Sequence, residues 1–172
     1  MGNKFFKISI ILVFLSGCAA LGHQLLWTRR LIDLLGASAE SNARVLGCFF
    51  LGLGLGSAVA NYLLSRITRP WRLLSQLEGG IVLFCLPLFF LPDWTGWIWP
   101  ALGPDAFTNG LSGWVKLFLS MVAIIPPAFL MGIGLPVMVS ALLHDSLELG
   151  RHGVWLYAIN TLGGVLGLIM IS

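Results

Sequence analysis

Charge is scarce in this chain. Asp, Glu, Lys and Arg make up only 10% of its 172 residues, seven acidic and ten basic, where a soluble domain carries about 25%. So few charges cannot cover a water-soluble fold of this size, which excludes a free cytosolic enzyme. Cysteine is scarce as well. Cys18, Cys48 and Cys85 each lie inside an apolar run, and no CxxC or Cys/His pair has metal spacing. Neither a disulfide framework nor a zinc site is indicated, and no metal or cofactor is expected in this chain. Basic clusters interleaved with exposed aromatics are also missing. The net charge of +3 therefore does not point to a nucleic-acid partner.

What the chain has in abundance is apolar length. Hydrophobic residues make up 58% of it, and its mean hydropathy is +0.93. That composition predicts an all-α, polytopic helical membrane bundle of about five transmembrane helices with the lipid bilayer as its principal partner. The expected spans are residues 5–27, 45–64, 70–91, 116–143 and 154–172, within a single membrane domain covering 1–172. Residues 92–115 are not a continuous apolar run. Trp94, Trp97, Trp99 and Trp114 stand there among Gly, Pro, Asp and Asn, the pattern of an interfacial loop, because indole favours the headgroup level.

Local patterns assign roles inside the spans. Cys48, Gly52, Gly56 and Ala60 recur every four residues, and Gly163 and Gly167 repeat the spacing near the end. Such small-residue stripes let helix backbones approach closely and are expected to form helix packing faces. Pro126-Pro127 removes two ladder hydrogen bonds, so a kink or helix break is expected there. Leu15-Ser16-Gly17-Cys18 after Lys4 and Lys7 resembles a lipoprotein signal. However, the apolar run continues through Leu26, longer than a signal-peptide core, which favours an uncleaved first helix.

Ionisable and amide groups at membrane depth are costly and often functional. Here they are His23, Gln24, Glu78 and Asn160, with Arg29 near the boundary of the first span. They have two readings. They form interhelical hydrogen bonds that fix packing, or they line a polar cavity between helices, opening at the broken fourth helix, that binds a small cation or a headgroup, with Glu78 as its anion. His144, Asp145 and Ser146 are adjacent, but adjacency in sequence is not triad geometry, and no catalytic residue is expected in this chain.

Five stretches together resemble one family. They are FLSGCAALGHQLLWTRRL (14–31), FFLGLGLGSAVANYLLSRITRPW (49–71), QLEGGIVL (76–83), IPPAFLMGIGLPVMVSAL (125–142) and GRHGVWLYAINTLGGVLG (150–167). The chain is similar to the membrane domain of bacterial spermidine synthase-like proteins, described as fused transporter/spermidine synthase proteins. The resemblance implies a bacterial inner-membrane location. It also implies a downstream Rossmann-like aminopropyltransferase domain that uses decarboxylated S-adenosylmethionine and a polyamine. No strand-then-glycine-loop motif for that chemistry occurs in these residues. The chain departs from the family at His23, where an aromatic residue is usual before the position held by Gln24.

On this reading the chain is a fragment whose catalytic part is absent, and it anchors that part and feeds it substrate. The alternatives are a transporter-like protein for a small cation or polyamine, and, more weakly, an assembly factor acylated at Cys18. Its partners would be a downstream catalytic domain or further copies of itself. Loop charges favour a cytoplasmic N-terminus. Lys4, Lys7, Arg66, Arg69, Arg72 and Arg151 then fall inside, and Arg29, Arg30, Arg44 and Lys116 outside. Five spans would leave Ser172 outside, so a cytosolic enzyme domain would need at least one further span before it.

Overall fold

In the computed structural model, the described residues are 3–36, 38–90, 96–97, 100–101, 103, 111–142 and 146–172. The fold is all-α. Among the described residues, five long helices follow in order: α1 (Asn3–Leu35), α2 (Ala39–Leu63), α3 (Pro70–Cys85), α4 (Leu111–Leu142) and α5 (Ser146–Ile171). Among the described residues, four segments are long and apolar enough to cross a membrane: Ile8–Leu31, Ala39–Arg66, Gly113–Leu142 and Gly153–Ile171.

The helices outrun the apolar runs that announce them. α1 continues eight residues past Trp27, through Arg29 and Arg30, because main-chain bonding does not need apolar side chains. It stops at Gly36, whose φ of +89° suits a residue without Cβ. Ser38 then caps α2, accepting a hydrogen bond from the Ser41 amide at 3.1 Å. α2 thus begins well before Val45. Leu111–Val115, expected within the tryptophan-rich loop, form the first turns of α4. Most of the rest of that loop, including Trp94 and Trp99, lies outside the described residues.

α3 is the short member. Pro70 occupies its first turn, where the missing N–H is harmless. Its 16 residues span about 24 Å at 1.5 Å per residue. Pro87 has no N–H to bond the Leu83 carbonyl, and the chain tightens into a 3-10 turn over Leu86–Phe90. Those five residues add about 10 Å.

The proline pair in α4 is a correction to the sequence reading: it does not break the helix. α4 runs from Leu111 to Leu142 with Pro126, Pro127 and Pro136 inside it. Two adjacent prolines remove only their own two ladder bonds. The segment around them is clamped from outside, since Ile125, Ala128 and Phe129 all press on Gly52 of α2.

Helix direction follows from these contacts. Gly52 meets Ala128 and Gly56 meets Gly132, so α2 and α4 run parallel. Gly17 meets Asn160 and Gly22 meets Gly167 and Ile171, so α1 and α5 also run parallel. Parallel α2 and α4 require α3 to return across the bundle between them. α3 packs on α4, with Gly80 against Leu130.

Two apolar clusters lie on either side of the glycine level. One joins Trp27, Leu31, Val45, Phe49, Cys85 and Ile124. The other joins Val13, Ala60, Leu74, Val137 and Leu156. Leu, Ile, Val and Phe side chains such as Ile11, Phe50, Leu83, Val122 and Ile169 are exposed around the outside, as lipid contact demands. Tyr62, Trp71 and Trp155 are exposed toward one end, and Trp97 and Trp114 toward the other. Aromatic rings at both ends of an apolar band are the anchors expected at two membrane interfaces.

A side chain at Gly56 would collide with the Phe129 carbonyl, whereas nothing lies within 4 Å of a Cβ at Gly54. Gly56→Leu is therefore expected to destabilise the bundle by about 1–3 kcal/mol. Gly54→Leu should stay within about 0.5 kcal/mol of wild type. Unfolding of both variants in detergent checks this; equal losses would contradict the packing assignment.

Candidate functional site

Four of the helices, α1, α2, α4 and α5, present small-residue faces where their backbones meet. Cys48, Gly52, Gly56 and Ala60 are all buried along α2. Gly163 lies against the Phe14 carbonyl and Cys18 amide, and Gly167 lies against the Cys18 carbonyl. Cys18 therefore sits mid-helix with its backbone pressed to α5. Ser57 adds an interhelical bond from its hydroxyl to the Gly132 carbonyl at 3.1 Å.

The polar residues singled out within the spans do not converge on one point. Asn160 donates from Nδ2 to the Val13 carbonyl at 3.1 Å, a link between α5 and α1. Arg29 donates from Nη1 and Nη2 to the backbone oxygens of Ile171 and Ser172, at 2.8 and 3.1 Å. These two bonds link α1 to α5. The Nδ1 atom of His23 bonds within its own helix to the Ala19 carbonyl at 2.7 Å, and its ring stacks obliquely near Trp27, 6.1 Å between centroids. Gln24 is half-buried, and its carbonyl accepts the Thr28 hydroxyl at 2.9 Å. Glu78 is exposed on α3 and lies within electrostatic reach of His23. Asn160 and Arg29 thus tie α1 to α5 at two levels, and neither bonds to His23 or Glu78. Among the described residues, no group of three or more His, Cys, Asp or Glu is placed to hold a metal ion. His144 and Asp145 lie outside the described residues.

A concavity lies elsewhere, at the bundle end where α1 turns into α2. Arg44, Gly113, Trp114 and Leu117 line a cavity of about 220 Å³. Arg44 reaches it from the second turn of α2 and is ion-paired with Glu40, four residues earlier on the same helix. Lys116 stands one turn into α4 and donates from Nζ to the Leu35 carbonyl at 2.8 Å. That carbonyl also accepts the Ser41 hydroxyl at 3.1 Å, so α1, α2 and α4 are joined at this one atom. Sequence reasoning placed Arg44 and Lys116 only as loop charges. Their meeting depends on the parallel packing of α2 and α4, which no local pattern encodes.

No family model, curated protein or solved structure matches the chain. The chemistry of these places rests on their geometry.

Asn160 should behave as a packing residue. Asn160→Ala is expected to lower bundle stability by about 1 kcal/mol, the usual worth of an interhelical hydrogen bond in a membrane. Thr161→Ala, which removes only a bond to the Tyr157 carbonyl of its own helix, should cost less. Parallel detergent unfolding curves decide between them.

Proposed function

We propose that this chain is the membrane-embedded scaffold domain of a spermidine synthase-like protein, with a role in anchoring an aminopropyltransferase domain that lies outside these residues. One observation carries the reading. The stretches that resemble the family are those that hold the helices together. SGCAALG on α1 meets NTLGG on α5 through Gly17, Cys18, Asn160 and Gly163. LGLGLGS on α2 meets PPAFLMGIG on α4 through Gly52, Gly56, Ala128 and Gly132. The shared motifs are thus packing motifs, as a scaffold requires, and their joint occurrence follows from their being contact partners.

In this reading the chain sits in the bacterial inner membrane with its N-terminus in the cytoplasm. Arg66, Arg69 and Arg72 are exposed together at one end, and Arg66 stacks over the Tyr62 ring at 5.2 Å from its centroid. Arginines beside an interfacial aromatic suit the cytoplasmic face. Single cysteines test the orientation. A cysteine at Ser65 should be protected from an impermeant thiol reagent in intact cells, and one at Gly103 should react. The reverse pattern would invert the topology.

A second reading is a transporter-like unit for a small cation or polyamine. The exposed Glu78 carboxylate, in electrostatic reach of His23, favours it, because an unsheltered acid on a span is otherwise costly. Two assays separate the readings. Purified protein given decarboxylated S-adenosylmethionine and putrescine should form no spermidine. Proteoliposomes should take up labelled putrescine no faster than empty vesicles. Uptake that Glu78→Gln abolishes would replace the scaffold reading with the transporter one.

A further inference from the structure

Positive charge is concentrated on the connection between α2 and α3. Arg66, Arg69 and Arg72 are all exposed there. Between Glu40 and Glu78 the chain holds no Asp or Glu, so no acid on the connection or the first turns of α3 screens them. Among the described residues, the ion pair present is Arg44 with Glu40, and none of the three arginines takes part in one. Arg66 lies over the Tyr62 ring at 5.2 Å from its centroid, and its Nη2 donates to the Tyr62 hydroxyl at 3.4 Å. An aromatic face holds a guanidinium in place without cancelling its charge.

The connection is built to keep these charges together. Leu64, Ile67 and Leu73 pack against the apolar cluster beneath, which turns Arg66, Thr68, Arg69 and Arg72 outward, where all four are exposed. Arg69 stands at the start of α3 and Arg72 in its first turn, three residues apart. Like charges at that spacing repel, and an anion lying across them would relieve the repulsion. Tyr62 and Trp71 flank the group and are both exposed, at the end of the apolar band where such rings mark the headgroup level. The guanidinium forks thus stand at the depth of lipid phosphates, and a fork matches phosphate oxygens in pairs.

We propose that Arg66, Arg69 and Arg72 form an interaction surface for the headgroups of anionic phospholipids. The three guanidiniums donate to the phosphate oxygens, and the Trp71 ring packs beside them at the glycerol level. Free inorganic phosphate shares the charged chemistry but would leave the flanking ring unused. The surface is the same whichever side of the membrane this end faces, so its failure leaves the topology and both functional readings standing.

Native mass spectrometry of the full chain in detergent, titrated with phosphatidylglycerol, tests the surface. Phosphatidylcholine of the same acyl chains carries the phosphate without net charge and serves as the control, with inorganic phosphate as the competitor. Wild-type protein should bind phosphatidylglycerol more tightly than phosphatidylcholine, with no displacement by millimolar phosphate. Arg69→Gln should weaken phosphatidylglycerol binding about fivefold, the usual worth of one basic residue at a lipid surface. Replacing Arg66, Arg69 and Arg72 together by Gln should weaken it about a hundredfold, the product of three such losses. Arg30→Gln removes the same charge from an exposed position near the opposite end of the bundle and should change it less than twofold. Equal losses in Arg69→Gln and Arg30→Gln would trace the effect to net charge alone and overturn the proposal. So would unchanged binding in the triple variant, equal affinity for the two lipids, or displacement by inorganic phosphate.

Discussion

Backbone-to-backbone contact at glycine is the constraint on which the rest of this molecule depends. In lipid, apolar side chains gain little by leaving the solvent for one another, so helices associate through close packing and a few polar bonds. Here Gly56 and Gly132 on one pair, and Gly163 and Gly167 against Cys18 on the other, bring main chains into direct contact. Both pairs are parallel, and parallel neighbours need an intervening segment that crosses back. The short α3 is that segment for α2 and α4. Its length, made up partly of a 3-10 turn at Pro87, follows from a demand set by glycines elsewhere.

Polar groups are subordinated to the same end. Where no water is available, each must find a partner inside the protein. Asn160, Ser57 and Arg29 all find backbone carbonyls on a neighbouring helix. The Asn160 and Ser57 bonds sit beside glycine contacts, where the backbones approach closely. Glu78 stands apart from this pattern. It is exposed on α3, the helix least enclosed by the others, and for that reason it carries the alternative transport reading.

Charge collects at the two ends. At one, Arg66, Arg69 and Arg72 stand in solvent near Tyr62 and Trp71. At the other, Arg44 and Lys116 are drawn inward, one into a cavity and one onto a carbonyl shared by three helices. The contrast is physical. The first group spans the connection between α2 and α3 and the first turn of α3, where it is exposed, while the second is held by helices that approach closely there.

Composition and periodicity by themselves determined that this is a helical membrane protein, roughly where its spans lie, and which faces carry small residues. Those properties are local: hydropathy accumulates along a run, and a stripe repeats every helical turn. Only the tertiary structure decided which stripe meets which, that the pairs are parallel, and that α4 continues through Pro126 and Pro127. It also separated the polar residues, giving Asn160 and Arg29 to the α1–α5 seam and leaving His23 near Glu78. The cavity at Arg44 was invisible in sequence because its walls come from two helices about 70 residues apart, joined only once glycine contacts set their register.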